Sequence, residues 1–321
     1  MILPFLAPGW SPVATDTTAN FRAISAPGGK VCWASGSKGT FARTVDGRTW
    51  TTARVKGAED AEFRSIVAFD RRSATMLAIG EGEASRVFRT DDGGVHWALT
   101  WTNADPRAFY DALAFWDKDH GIAFGDPVDG RFPLLRTDDG GRTWTRLVPE
   151  MPPTEPGEAA FAASGRALVL RGSSEAWICT GGGAARVFRS RDRGRTWTVA
   201  PTPVQPGAAS AGLFGLLFWG VRDGLAVGGD YAADATPGAL LRTRDGGRTW
   251  SLAFRPGGLR EAALRTRDGL MLVGPSGTDV SKDGGETWTT VANPGALHTA
   301  ANAGGTIWAA GAGGLIARWS D

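Results

Sequence analysis

Arg136-Thr137-Asp138-Asp139-Gly140-Gly141-Arg142-Thr143-Trp144 decides the fold, because the chain writes this stretch six times. The other copies run Thr44 to Trp50, Thr90 to Trp97, Ser190 to Trp197, Thr243 to Trp250 and Ser281 to Trp288. They share the pattern Ser/Thr-x-Asp-x-Gly-x-Thr-Trp; the first copy is one residue short, and His96 stands for Thr in the second. Each part of the pattern suits a tight hairpin. The Asp carboxylate and the Ser/Thr hydroxyl accept from nearby backbone N–H groups, and Gly supplies positive φ. Trp buries a large ring, with its indole N–H expected to find a partner at the rim. Recurrence at about forty to fifty residues is the signature of a propeller or solenoid. A calcium loop is a poor fit, since the alternating oxygen ligands and distal Glu are missing.

The pattern resembles the Asp-box, or bacterial neuraminidase repeat. In families that carry it, the box is a structural hairpin between the third and fourth strands of a blade.

Other motifs keep step with the hairpin. A strand ending at glycine occurs seven times: Val31 to Gly36, Thr75 to Gly80, Gly121 to Gly125, Ala176 to Gly181, Leu225 to Gly229, Leu270 to Gly274 and Thr306 to Gly311. A β-like run precedes each, as in Phe21 to Ser25, and a third strand such as Arg86 to Thr90 leads into the hairpin. The stretch after each hairpin Trp is the fourth. Four strands per unit make a propeller blade. The unit near Leu297 to Asp321 has only three strands, while Gly9 to Thr15 precedes the first unit with no blade of its own. The expectation is one domain over residues 1–321: an all-β, seven-bladed propeller of four-stranded antiparallel blades. The N-terminal strand would close the ring and cover an exposed edge. Glu158 to Gly172 holds more residues than one inner strand needs.

Composition agrees and excludes other classes. Forty-two per cent apolar residues supplies a core for a single all-β domain of 321 residues. A formal charge of +2, with scattered Arg and no polybasic run, gives no case for nucleic acid. No apolar run approaches a membrane span. Cys32 and Cys179 sit in apolar strand-like stretches and read as buried thiols in separate blades. Met1 to Pro8 lacks a basic start and is broken by proline, unlike a signal peptide.

In a propeller, the blade-to-blade loops and the second-to-third-strand loops share one face, away from the hairpins. Aligning the innermost strand starts gives Arg22, Arg64, Asp111, a position near Glu158, then Phe214, Glu261 and His298 beside the central channel. Adjoining loops add Lys38, Glu81, Arg86, Asp126, Asp129, Arg131, Asp230 and Tyr231. Arginines beside carboxylates suit a polar or acidic segment; the plainer reading is a solvated rim whose charges pair among themselves. The Arg before the hairpin (Arg43, Arg89, Arg136, Arg189, Arg242) is expected to cover neighbouring hairpins structurally.

Enzyme readings find little support. No metal-spaced His/Cys cluster, P-loop, G-x-S-x-G or dinucleotide pattern occurs, so no cofactor is expected. Sialidases carry Phe/Tyr-Arg-Ile-Pro near the start, whereas here Phe21-Arg22-Ala23-Ile24 lacks the proline, and Tyr110 and Tyr231 are the only tyrosines. A carboxylate-pair glycosidase would draw on Asp111, Asp126, Asp129 or Glu261.

Seven units, six hairpins, and the phrases Gly157 to Ser164 and Arg186 to Ser190 resemble the photosystem II assembly/stability factor family, including its relatives in non-photosynthetic bacteria. The likeness runs from about Trp10 to Trp319. It implies a chaperone-like, monomeric, non-enzymatic propeller, periplasmic or secreted, that binds a protein or peptide segment. The family's arginine-rich patch would fall near Arg22, Arg64 and Arg131. The alternative is a glycan-binding or glycoside-hydrolysing propeller.

Overall fold

The computed structural model describes residues 8–205 and 207–320; the expectation for Met1 to Ala7 lies outside them. The chain forms seven antiparallel sheets set around a central channel, six of four strands and one of six. Blade 1 comprises Phe21–Gly28, Val31–Gly36, Thr40–Thr44 and Thr51–Arg54, from the channel outward. Blades 2, 3, 5 and 6 repeat that order from Glu62–Ala68, Tyr110–Phe115, Ala211–Trp219 and Ala262–Arg265. In blade 7, Leu297–Ala303, Thr306–Gly311 and Ile316–Ser320 pair in turn, and Gly9–Val13 adds the outermost strand. Gly9 lies opposite Ser320 and Val13 opposite Ile316, so the two ends of the chain share one sheet. Trp10 packs edge-on against Trp319 at 5.1 Å and donates its indole N–H to Thr278 Oγ1 of blade 6 at 2.9 Å. Ring closure by the N-terminal strand follows the sequence expectation.

The repeated Asp does the work of a turn. In blade 3, Asp139 Oδ1 accepts from the amides of Arg142 and Thr143 at 3.0 and 2.9 Å, while Oδ2 accepts from the Thr143 hydroxyl at 2.6 Å. The Gly141 amide donates to Thr137 Oγ1 at 2.8 Å, and Gly140 and Gly141 hold φ of 76° and 85°. Asp46, Asp92, Asp192, Asp245 and Asp283 repeat the pattern. The tryptophans divide: Trp197 and Trp288 donate to Gly194 and Gly285 carbonyls. The indole N–H groups of Trp50, Trp97, Trp144 and Trp250 are buried without a partner among the described residues, contrary to expectation.

The Arg before the hairpin is structural. Arg43, Arg89 and Arg242 donate to the carbonyls of Gly93, Gly140 and Gly284, each in the next blade's hairpin. Arg136 instead bonds Asp138 of its own hairpin, and Arg189 bonds Glu175. Three of the five guanidiniums thus stitch neighbouring blades together. Cys32 and Cys179 are buried free thiols, and burial pushes both well above the usual thiol range.

Candidate functional site: the channel mouth

The inner strands carry the same irregularity at the same place. Pairing with the second strand slips between Phe21 and Ala23, Phe63 and Ser65, Tyr110 and Ala112, Leu213 and Gly215, and Leu297 and Thr299. The residues skipped are Arg22, Arg64, Asp111, Phe214 and His298. A bulge leaves one residue out of the ladder and re-aims its side chain, and here all five line one cavity at the channel mouth. Glu261 reaches it from the residue before blade 6. In four blades the glycine that ends the second strand is packed against the backbone just before the mouth residue. A Cβ on Gly36, Gly125, Gly274 or Gly311 would stand 1.9–2.4 Å from the carbonyl oxygen of Asn20, Phe109, Leu259 or Ala296, each two residues before the mouth residue. In blade 5 the same contact falls on Gly228, against Gly212, one residue before the expected Gly229.

Blade 4 departs from the rule. Its inner strand is Leu168–Arg171, not the segment at Glu158. Glu158–Ala159 instead pairs with Gly181–Gly182, which extends the sheet of blade 5. The Glu158 carboxylate is buried, accepting from Thr180 Oγ1 at 2.6 Å and Arg186 Nε at 3.0 Å. Its expected place at the channel is therefore corrected: it anchors a loop.

That loop enters the channel and plugs it. The Ala160 amide donates to Asp126 Oδ1 at 2.8 Å in blade 3, and Arg64 of blade 2 donates to the Ala162 carbonyl at 3.1 Å. Ser164 Oγ donates to the Glu261 carbonyl at 2.7 Å in blade 6, and Arg166 donates to the Ala300 carbonyl at 2.8 Å in blade 7. Small residues fit this crowded path, and Gly165 (φ 69°) turns it 3.2 Å from the Arg64 carbonyl as judged by a Cβ at that position. Ala159 to Ala163 floor the mouth cavity, of about 620 Å³; Ser164 to Arg166 roof a second cavity of about 390 Å³ further down. Phe161 stacks on Phe214 at 4.3 Å, and Tyr231, 57% exposed, meets both edge-on.

Of the sequence candidates, Arg22, Arg64, Asp111, Asp126, Tyr231, Glu261 and His298 come together in the mouth cavity. Lys38, Asp129, Arg131 and Asp230 stand outside its lining. Lys38 and Arg131 are exposed loop residues, and Asp129 pairs with Arg107 at 3.0 Å. Asp230 caps the Ala232 amide beside a separate cleft. Sequence reasoning missed Phe161. Its only signal was the surplus length before Leu168.

Charges at the mouth pair only in part. His298 Nδ1 lies 2.7 Å from Glu261 Oε2, both side chains nearly buried. A carboxylate only accepts, so Nδ1 carries the hydrogen. Arg22 Nη1, 3.4 Å from that nitrogen, therefore approaches without donating to it, and lies 3.7 Å from Glu261 Oε1. Arg64 has no ion pair among the described residues; burial and then the Arg22 charge lower it to about 10, so it stays cationic near neutral pH. Asp111 is 1% exposed, and its Oδ2 has no hydrogen-bond partner among the described residues. Burial, then the nearby Asp126 charge, pushes Asp111 well above the ordinary carboxylate range, and burial raises Asp126 too. No cluster of three His, Cys, Asp or Glu suited to a metal occurs among the described residues. No helix among them is long and apolar enough to cross a membrane.

Nearly the whole chain aligns with solved structures. A structure described as YCF48 bound to D1 peptide matches with a TM-score of 0.70 and 17% identity, covering 97% of each chain. The likeness is one of fold. YCF48 from Cyanidioschyzon merolae matches at 0.68 and 15%, covering 97% of this chain and 98% of that one. A catalytically inactive virginiamycin B lyase from Staphylococcus aureus with quinupristin matches at 0.66 and 12%, covering 98% and 100%. No protein-family model matches the chain, and none of the curated proteins matches its sequence.

Proposed function

We propose that this propeller is a non-enzymatic, assembly-factor-like binding protein that docks a protein or peptide segment at the channel mouth. The observation that carries the reading is the set of bulged inner strands. Five blades spend a ladder position to aim a side chain into one cavity, and two of the charged ones, Arg64 and Asp111, have no ion pair among the described residues, while Phe214 adds an aromatic face. Unpaired charge beside an aromatic floor suits a segment that brings both polar groups and apolar side chains. The structure of YCF48 bound to D1 peptide lends support, as a similar fold holding a peptide. The repeated hairpins suit membership among Asp-box propellers, in the non-photosynthetic branch of that assembly-factor group, working in the periplasm or outside the cell.

The test is an array of synthetic peptides probed with wild type and with Arg22→Ala/Arg64→Ala. Selective binding that the double variant loses supports the reading; the same peptides bound equally by both proteins would count against it. One observation favours the glycan alternative, namely that paired acids with raised proton affinity also serve glycosidases. A glycosidase panel and a glycan array that both stay silent remove it.

A further inference from the structure

The mouth looks basic when only its arginines are counted, yet two arginines, Arg22 and Arg64, face four carboxyl groups, Asp111, Asp126, Asp234 and Glu261. Arg22 and His298 already serve Glu261. Asp234 is exposed on its loop. Asp111 and Asp126 remain, both from blade 3 and its second loop, with no cation paired to either among the described residues. Asp126 Oδ1 is occupied by the Ala160 amide. Asp111 Oδ2 is not occupied, though the residue is buried and lines the cavity. Leaving a buried acceptor unmade is costly, so this oxygen is open to a donor that no described residue supplies. Arg64 stands on the adjacent blade but turns its Nη1 to the Ala162 carbonyl instead.

We propose that Asp111 and Asp126 form a subsite for a cationic group, an ammonium or guanidinium, carried by the docked segment next to an apolar residue that packs on Phe161, Phe214 and Tyr231. This rests on reading the mouth as a segment-binding site, and it reverses the polarity that the arginines alone would suggest. A cation there gives Oδ2 its missing donor and offsets the carboxylate surplus. With burial favouring the protonated pair, cation binding displaces a proton, so affinity rises as pH is raised. Arg22, Arg64, Asp234, Tyr231, Glu261 and His298 are the other ionisable groups facing the cavity. Arg64 stays charged over that range, and its repulsion of a cation is constant.

Four blocked probes separate the possibilities by calorimetry. Acetyl-Phe-Lys-amide carries a side-chain ammonium and Gly-Phe-amide an N-terminal one, while acetyl-Phe-Gln-amide is neutral and acetyl-Phe-Glu-amide anionic. At least one cationic probe is expected to bind about tenfold more tightly than the neutral one, and which of the two does so names the source of the ammonium. Asp111→Asn should erase the preference, with Asp126→Asn as a second variant if the first fails to fold. Binding heats compared between buffers should report a proton released on binding. Equal binding of cationic and neutral probes, a preference for the anionic probe, no binding by any of the four, or a preference unchanged in both variants overturns the inference. If longer peptides on the array still depend on Arg22 and Arg64, the docking reading survives that failure.

Discussion

Replacing Phe161 by Ala tests whether the plug is seated by a single ring. Phe161 is nearly buried, stacked on Phe214 at 4.3 Å with an 11° interplanar angle. It also lies over the glycines of the strand extension: a Cβ on Gly181 would stand 2.3 Å from Phe161 Cε2, and one on Gly212 would stand 3.0 Å away. Phe→Ala at a buried site costs about 3–5 kcal/mol. The lower end applies, because the ring borders a cavity that water can fill. About 3 kcal/mol corresponds to a fall of roughly 4–5 °C in Tm for a domain of this size. If the plug opens locally, the same loss raises exchange of the Ala160 amide, which donates to Asp126, by about a hundredfold. Thermal unfolding followed by circular dichroism and amide exchange by mass spectrometry read the two effects separately. A double-mutant cycle with Phe214→Ala should recover a coupling of about 1 kcal/mol. A Tm within about 1 °C of wild type, with plug amides still protected, would refute the idea that this ring anchors the loop.

Acid should unfold the ring through its hairpins. Asp46 is held at about 2, chiefly by the Thr49 amide; for Asp139, burial pushes upward but the Thr143 hydroxyl and amide outweigh it, again giving about 2. These depressed carboxylates stabilise the fold above the unfolded value of about 4 and lose that contribution as pH falls toward 2. Urea midpoints should drop over that window, and less steeply in Asp139→Asn; a flat profile counts against the hairpin account. Asp111 has the opposite sign, since its raised proton affinity makes stability fall as pH climbs above about 4. Asp111→Asn should therefore unfold at a higher temperature than wild type at pH 7, an advantage that shrinks near pH 4; lower stability at both pH values would be contrary. Trp10→Ala removes an edge-on ring contact and a hydrogen bond from a half-buried site. A loss of about 2–3 kcal/mol is expected, and an unchanged melting curve would show that closure does not depend on this residue.

Much of this was legible because turn chemistry is local. The Asp, Gly and Thr of each hairpin satisfy one another within a few residues, so six copies count blades without tertiary information. The glycine ending the second strand pointed to the mouth for a reason that emerged only in three dimensions: it leaves room for the carbonyl two residues before the mouth residue, at Asn20, Phe109, Leu259 and Ala296. Aligning strand starts therefore picked out Arg22, Arg64, Asp111, Glu261 and His298, which the fold brings to one cavity. The plug was illegible. Ala159 to Arg166 has neither strand alternation nor turn residues in a recognisable order, and its conformation is set by partners in four other blades. Glu158 was misplaced because a charged residue before an apolar run imitates the other inner-strand starts, whereas its carboxylate turns back to Arg186. Lys38, Asp129, Arg131 and Asp230 fell outside the cavity because periodicity says nothing of where an exposed loop side chain points. Pairing was equally beyond reach, since Arg22 approaches Glu261 across the blade that carries His298.

The most direct measurement is amide exchange of the intact propeller with and without an array-selected peptide. Docking at the mouth should slow exchange in Phe21 to Ile24, Phe63 to Ile66, Tyr110 to Leu113 and Ala159 to Ala163, and leave the hairpins from Thr44 to Trp288 unchanged. Slowed exchange confined to the hairpin face, with the inner strands and the plug unaffected, would contradict the placement of the site.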